Sequence, residues 1–238
     1  MIPYVIFNGI SSMDIGPEGL IIEQLPDELK PARNVEEVSI PGRDGTVYED
    51  LGGYETYRTS MKINCNGAQL SDVYAWLDGE GWLTTSENPE FMRSVAFYEQ
   101  IKDQRFRAGA CYDSITIPLV AQPYKYKVNQ QLLTITQPTV FSGEGNKKAK
   151  PVLAITGSGD ITLMVNGASV MIADLDGTII LDCDTETPYS ETDGVKTFRG
   201  RMITVIDNEW PRLDPDTNSI NWTGSISQIT IDPWWRWI

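Results

Sequence analysis

The chain has 238 residues, 41% of them hydrophobic, so it is long enough for one large or two ordinary domains with buried cores. Its formal net charge is −14 at pH 7. A surface of this sign repels the phosphate backbone, so direct binding of nucleic acid is disfavoured. The sequence contains no histidine, which removes histidine-based triads, histidine general bases and histidine metal ligands.

The three cysteines, Cys65, Cys111 and Cys183, are far apart and form no Cys-x-x-Cys pair, so neither a zinc site nor a redox motif is predicted. We expect them to be small buried side chains in a reducing compartment. The N-terminus lacks the charged and apolar segments of a secretory signal, and no run of about 18 apolar residues predicts a membrane span. Synthesis in a cytoplasm and no contact with a membrane are therefore expected, and no cofactor is predicted.

The first half of the sequence predicts short strands and one short helix. Residues 56–64 alternate between apolar and polar side chains, which is typical of a half-buried antiparallel strand. Residues 114–120 also alternate but contain Pro118, which predicts a sheet edge or a strand end. The other predicted strands are 4–7, which ends in an Asn8-Gly9 turn, 20–25, 35–40, 95–98 and 105–111. A helix is predicted at 69–77, with four apolar side chains on one face: Leu70, Val73, Tyr74 and Leu77.

The segment Ile40-Pro41-Gly42-Arg43-Asp44-Gly45 contains two turn signals in close succession. Pro-Gly and Asp-Gly pairs both favour turns, because glycine accepts the positive φ that tight turns require. The segment therefore predicts a hairpin after the strand at 35–40.

The second half of the sequence is almost free of helical patterns. Turns are predicted at Asn166-Gly167, Asp176-Gly177 and Asp193-Gly194, and residues 139–151, with Lys147, Lys148 and Lys150, are predicted as a turn or linker. Short strands broken by turns in this way predict a β-sandwich or a barrel. The predicted strands are 152–157, 161–167, 169–173, 178–182, 201–206, 219–223 and 225–231.

No catalytic or metal-binding residue is predicted, and we expect the protein not to be an enzyme. The segment that starts at Asp174 begins like a calcium-binding loop, but Thr185 stands where a bidentate glutamate is needed, so a hairpin with Asp176-Gly177 at its tip is favoured. Carboxylates such as Asp182 and Asp184 could serve a glycosidase only at a separation that the sequence does not give. The serines have no histidine to activate them.

The C-terminus carries three tryptophans within five residues, Trp234, Trp235 and Trp237. They fit a last strand whose rings close the core of a sandwich, which we favour. They also fit a contact with a partner or a platform for stacking a sugar, because large exposed aromatic side chains favour interfaces.

The order of several motifs resembles the distal tail protein (Dit) family of long-tailed bacteriophages and related tailocins. The residues that carry the resemblance in the first half are Pro41, Gly42, Arg43, Asp44, Gly45, Trp76 and Leu77. In the second half they lie in the segment 213–224 and include Asn218, Trp222 and Gly224. Pro215-Asp216 departs from the usual Pro-Gly, although aspartate tolerates the same turn conformations.

The resemblance implies a mainly β fold with two domains. Residues 1–133 would be a β-rich, ring-forming tail domain with one short helix, and residues 134–238 a galectin-like β-sandwich. The family implies a homo-oligomeric ring, commonly a hexamer, at the tip of the virion tail. Such a ring joins the tail tube protein to the tail-associated hub or lysin protein and to receptor-binding components.

Two other functions stay open on the sequence. A galectin-like sandwich with a tryptophan-rich end could be a carbohydrate-binding protein that contacts polysaccharide on the host surface. A β-rich hydrolase that uses carboxylates is a third possibility. The sequence leaves open whether the source is a phage, a prophage or a tailocin, and it identifies no residues of the ring contact.

Overall fold

The computed structural model describes residues 2–16, 19–66, 70–101 and 111–238. The chain divides into two compact units, residues 1–128 with Ile238, and residues 129–237. The domain limits expected from the sequence, 1–133 and 134–238, lie a few residues further along and stay a prediction. The predicted fold class, mainly β with one short helix in the first half and a β-sandwich in the second, is confirmed.

Nine strands and one helix are described in the first unit. They are β1 (Val5–Phe7), β2 (Ile10–Ser11), β3 (Ile21–Gln24), β4 (Arg33–Val38), β5 (Val47–Tyr54), β6 (Tyr57–Asn66), α1 (Leu70–Trp76), β7 (Gly79–Thr85), β8 (Phe91–Phe97) and β9 (Cys111–Lys127). Seven strands form one antiparallel sheet in the order β2-β1-β7-β8-β9-β6-β3, whereas β4 and β5 form a separate two-stranded sheet. Of the strand predicted at 105–111, all but Cys111 lies outside the described residues.

Helix α1 supplies one side of the first core. Leu70, Val73 and Leu77 are buried as predicted, but the fourth buried side chain is Trp76, whereas Tyr74 is exposed. The prediction that Tyr74 lies on the apolar face was therefore wrong, because the buried face of the helix includes Trp76 in its place. Strand residues such as Phe7 and Phe97, whose rings meet edge to face at 5.0 Å, complete this core.

The Asn8-Gly9 turn is confirmed, since both residues have positive φ and Phe7 pairs with Ile10 across a two-residue hairpin. Pro118 corrects a prediction, because it lies inside β9 and the strand continues through it. It is tolerated there because β6 pairs with it on one side, through Ser60, while the register with β8 has ended at Val120. A missing N–H does no harm on a side where no strand needs it.

The second unit contains eight described strands. They are β10 (Leu133–Ile135), β11 (Thr139–Ser142), β12 (Val152–Val165), β13 (Ala168–Asp182), β14 (Thr187–Thr192), β15 (Val195–Phe198), β16 (Ile203–Val205) and β17 (Thr217–Asp232). Hairpins at Asn166-Gly167 and Asp193-Gly194 are confirmed by the positive φ of all four residues and by the register across them.

Three long strands run through both layers of the sandwich. The first half of β12 pairs with the second halves of β13 and β17, and β10 and β14 extend this layer. The second half of β12 pairs with the first halves of β13 and β17, and β11 and β16 extend the other layer. Inward side chains of both layers, among them Leu153, Leu163 and Leu181, form one core.

The strands bend between the layers at glycines. A Cβ on Gly157 would lie 2.3 Å from the Ser225 carbonyl oxygen, so the backbones approach too closely there for any other residue. Register shifts mark the same place in β12 and β17. Asp176-Gly177, predicted as the tip of a hairpin, lies instead inside β13 opposite Ser158 and Gly157. The positive φ of Gly177 bends a continuing strand and does not reverse it.

The segment 139–151 is not a linker between domains. It contains β11 and belongs to the second unit, where Ala149 forms a β-bridge with Leu213 and Lys148 pairs with Asp214 at 3.2 Å. Cys183 is the cysteine whose side chain is described, and it is buried as predicted. Burial raises the pKa of the Cys183 thiol far above its usual value, so the thiol stays protonated and unreactive.

Candidate assembly site

The turn-forming segment Pro41–Gly45 lies at the tip of a hairpin that we call the arm, residues 33–54. The Arg43 N–H donates to the Ile40 carbonyl at 3.1 Å, and Gly42 has a φ of +83°. These are the marks of a type II turn with Pro41 and Gly42 at its centre. Asp44-Gly45 follows within the loop and completes the reversal into β5. The first of the two turn signals thus forms the turn.

The arm is exposed on almost every residue. In the described part of the chain, β4 and β5 pair only with each other, so each keeps one open backbone edge. Tyr48 is 63% exposed and Leu51 55%. Its charged residues are five acids against two bases: Glu36, Glu37, Asp44, Glu49 and Asp50 against Arg33 and Arg43.

The two acidic side chains Glu36 and Glu49 lie directly opposite each other in the arm. Like charges in a cross-strand pair destabilise a hairpin. At the base, Arg33 forms an ion pair with Asp50, and its guanidinium lies 5.6 Å from the ring centre of Tyr54. The Tyr54 ring in turn meets Tyr124 of β9 edge to face at 6.0 Å. The arm is therefore fixed at its base by Arg33 and carries the acidic pair of Glu36 and Glu49 further out.

Trp76 and Leu77 of the family motif have a structural position. Both are buried in the first core at the end of α1, and the Leu77 N–H donates to the Val73 carbonyl at 2.9 Å. They fix the helix to the sheet.

Asn218 is fully buried and holds a loop together. Its Oδ1 accepts from the Asp214 N–H at 2.7 Å and from Asn166 Nδ2 at 2.7 Å, and its own Nδ2 donates to the Asp214 carbonyl at 2.9 Å. Asn166 also donates to the Arg212 carbonyl at 3.0 Å and accepts from the Ser219 N–H at 2.8 Å. The motif thus ties the loop before β17 to the β12–β13 hairpin, with the buried amide satisfied.

Gly224 and Trp222 lie further along β17. Gly224 has a φ of +93°, and a Cβ there would lie 2.3 Å from the Asp160 carbonyl oxygen, so only glycine fits. The half-buried ring of Trp222, opposite Leu163, packs against the second core. All three motif residues of this half act within the sandwich. A role of these motif residues in assembly stays a prediction.

The C-terminal tryptophans belong largely to the second core. Trp235 is buried there, and its backbone N–H donates to Gln130 Oε1 at 2.8 Å. Trp237 packs against the same core, and Trp234 is half-buried. The rings therefore close the core, as favoured from the sequence, and do not form an exposed platform for a sugar. The partner contact predicted for Trp234, Trp235 and Trp237 stays a prediction, and Trp234 and Trp237 keep more exposed surface than Trp235.

Arg236, between these tryptophans, is buried and pairs with Asp184 at 2.8 Å. Lys150 approaches the same carboxylate at 3.1 Å. Partial burial alone would raise the pKa of Asp184, but the hydrogen bonds from Arg236 and Lys150 outweigh it and hold the pKa below its usual value. The sequence pattern contains no signal for this ion-pair group, because its members are far apart in the chain.

The described residues hold no arrangement suited to catalysis by a metal. No three aspartate, glutamate or cysteine side chains among them lie close enough together to hold a metal ion. Asp174 and Asp176 lie on exposed positions of β13, so the interrupted calcium-loop pattern has become a bent strand. No helix within the described ranges is long and apolar enough to cross a membrane.

Comparison with known proteins rests on solved structures, because no family model and no curated protein matches the sequence. One match is SPP1 Dit (gp 19.1), described as a paradigm of the hub adsorption apparatus in phages that infect Gram-positive bacteria. The TM-score is 0.70 and the sequence identity 13%, over 97% of this chain and 98% of the SPP1 chain. Chains of the activated phage p2 baseplate match over the same shares, with TM-scores of 0.48 in strontium and 0.49 in calcium and identities of 8% and 9%. Over nearly its whole length, the chain has the fold of a phage distal tail protein.

Proposed function

We propose that this protein is a structural component of a phage tail tip, which assembles as a homo-oligomeric ring. The observation that carries the proposal is the fold shared with SPP1 Dit over 97% of the chain. The order of the motifs at 41–45, 76–77 and 213–224 supports it independently, because that order is a property of the sequence and not of the fold.

The arm supports self-association. A two-stranded hairpin is at best marginally stable in water by itself, and exposed apolar side chains with open strand edges are suited to contact with another chain. Tyr48 and Leu51 provide such side chains on the arm. If the arm of one copy packs on another part of the next copy, the contact is heterologous, and such contacts close into a ring when the rotation between copies allows it.

In this proposal the ring, commonly a hexamer in the family, joins the tail tube protein to the tail-associated hub or lysin protein. The sandwich of the second unit holds receptor-binding components. The protein acts at the virion tail tip after synthesis in the host cytoplasm, and it has no enzymatic activity of its own. The acidic surface keeps free subunits soluble before assembly.

Analytical ultracentrifugation and negative-stain microscopy of the purified chain over a range of concentrations test the proposal. We expect a ring-shaped oligomer that is favoured at high concentration. Tyr48→Asp with Leu51→Asp on the arm should shift the population to monomer, because it adds charge to the proposed contact. Val195→Asp, at an exposed apolar position of the second unit, is the matched control and should leave the ring intact. A strict monomer at every concentration would count against the ring, and equal loss of rings in arm and control variants would count against the arm as its contact.

A further inference from the structure

Arg93 is the buried charged residue of the first core region, with only 8% of its surface exposed. Its Nη1 bonds to the Tyr57 hydroxyl and lies 3.4 Å from the Gln122 carbonyl oxygen, and its guanidinium stacks 5.1 Å from the Tyr57 ring centre. All of these partners are neutral. Burial raises the pKa of Tyr57, so its hydroxyl is not ionised near pH 7 and does not neutralise the arginine.

No carboxylate in the described ranges forms an ion pair with Arg93. Lys125 lies directly opposite Arg93 in the register of β8 and β9, which places a second cation beside it. The Lys125 charge is matched by Glu28, whose Oε2 lies 2.9 Å from the lysine Nζ, so Glu28 is already engaged. Burying a guanidinium without an anion costs several kcal/mol in real proteins, so the site favours an anion from elsewhere.

A pocket of about 40 Å³ opens beside this arginine. A water needs roughly 10–15 Å³ measured in the same way, so the pocket has room for about three water-sized atoms, the size of a carboxylate group. Apolar side chains make up part of its lining, and its polar lining combines the donors Arg93, Lys125 and Asn88 with the carboxylates of Asp27 and Glu28. A wider cavity of 570 Å³ shares Thr85, Asn88 and the segment 26–28 with it, so the pocket adjoins a larger space.

We propose that the pocket beside Arg93 binds one carboxylate group, held by the guanidinium of Arg93. The planar guanidinium matches the two oxygens of a carboxylate, and a low-dielectric surrounding strengthens the pair. A phosphate dianion fits less well, because Asp27 and Glu28 also line the pocket and repel its two negative charges more strongly than the single charge of a carboxylate. The carboxylate comes either from a small free acid or from an acidic side chain of a second copy of this chain.

Titration of the full chain with sodium acetate, against sodium chloride at equal ionic strength, tests the binding. We expect acetate to raise the Tm of the wild type, with a dissociation constant on the order of millimolar. Arg93→Met should raise this dissociation constant at least tenfold, which corresponds to about 1.4 kcal/mol of binding free energy. Methionine replaces the buried charge with an apolar chain of similar length, so the variant should fold. Arg93→Lys keeps the charge without the planar fork and should bind acetate with intermediate affinity. Arg58→Met, at an exposed position of β6, is the control and should bind like the wild type.

Sedimentation velocity separates the two sources. If a second copy supplies the carboxylate, saturating acetate and Arg93→Met both weaken self-association, whereas a free acid as the source leaves association unchanged. The acetate titration does not depend on ring assembly, so the two proposals can fail separately. Equal responses to acetate and chloride in the wild type, together with unchanged association of Arg93→Met, would overturn the proposal.

Discussion

Asn218→Ala is the sharpest test of the motif residues in the second unit. The substitution removes three hydrogen bonds, two accepted by Oδ1 and one donated by Nδ2, at a side chain that is fully buried. The Asp214 N–H and carbonyl then lose their partner, while Asn166 Nδ2 keeps its bond to the Arg212 carbonyl. At about 1 kcal/mol for each of the two orphaned backbone groups and about 1 kcal/mol for the cavity, the free energy of unfolding should fall by roughly 3 kcal/mol.

Tryptophan fluorescence during thermal or denaturant unfolding measures this loss well. Five of the seven tryptophans lie in the second unit: Trp210, Trp222, Trp234, Trp235 and Trp237. For a unit of this size, 3 kcal/mol corresponds to a fall in Tm of roughly 12 °C or more.

The control for this prediction is Asn221→Ala, the same change at an exposed position of the same strand. Its effect should stay within about 0.5 kcal/mol. If the two variants lose the same small amount of stability, the hydrogen bonds of Asn218 do not stabilise the loop, and the structural explanation of the motif fails.

Three further predictions concern the second unit and are measured by its unfolding. Gly224→Ala should lower the free energy of unfolding by about 1 kcal/mol or more beyond the loss caused by Gly159→Ala. Both positions have positive φ, but of the two only Gly224 faces a carbonyl oxygen at contact distance. Equal losses would contradict the role of the close approach. Asp184→Asn should destabilise the protein at pH 7, and the difference in stability from the wild type should shrink as the pH falls below about 4. The reason is that a carboxylate with a lowered pKa stabilises the folded state above its unfolded pKa and loses this contribution on protonation. A difference in stability that is constant with pH would show that the charge is not involved. Trp235→Ala should cost about 3–5 kcal/mol through the cavity it leaves in the core, and a surface-like loss below about 0.5 kcal/mol would contradict the burial of this ring.

Short sequence patterns predicted those parts of the fold that depend only on neighbouring residues. Asn8-Gly9, Asn166-Gly167 and Asp193-Gly194 each form the expected hairpin, because a two-residue turn needs only its own backbone conformation. Asp176-Gly177 has the same residue types but lies within a strand whose partner, β12, bends at the same height. What decides between a turn and a bend is the pairing of Asp176 and Gly177 with Ser158 and Gly157 on the preceding strand, which the Asp-Gly pair alone does not contain.

The candidate sites show the same limit. The turn residues of the arm were identifiable from Pro41-Gly42, but the separation of β4 and β5 from the main sheet depends on which strands pair elsewhere. No sequence pattern marks Arg93, because its neutral hydrogen-bond partners, Tyr57 and Gln122, lie on other strands. Pro118 correctly predicted a position without a strand partner on one side. It wrongly predicted that this position is a strand end or a sheet edge, because it lies inside β9.

The three long strands of the sandwich have a mechanical consequence. Because β12, β13 and β17 each belong to both layers, the layers are joined by continuous backbone at the bend as well as by side-chain packing. A force that pulls on one layer is therefore carried into the other through covalent bonds, and the layers cannot slide apart unless the paired strands separate at the bend. Such a unit yields as a whole, and its resistance to force is set by the strand pairs at the bend.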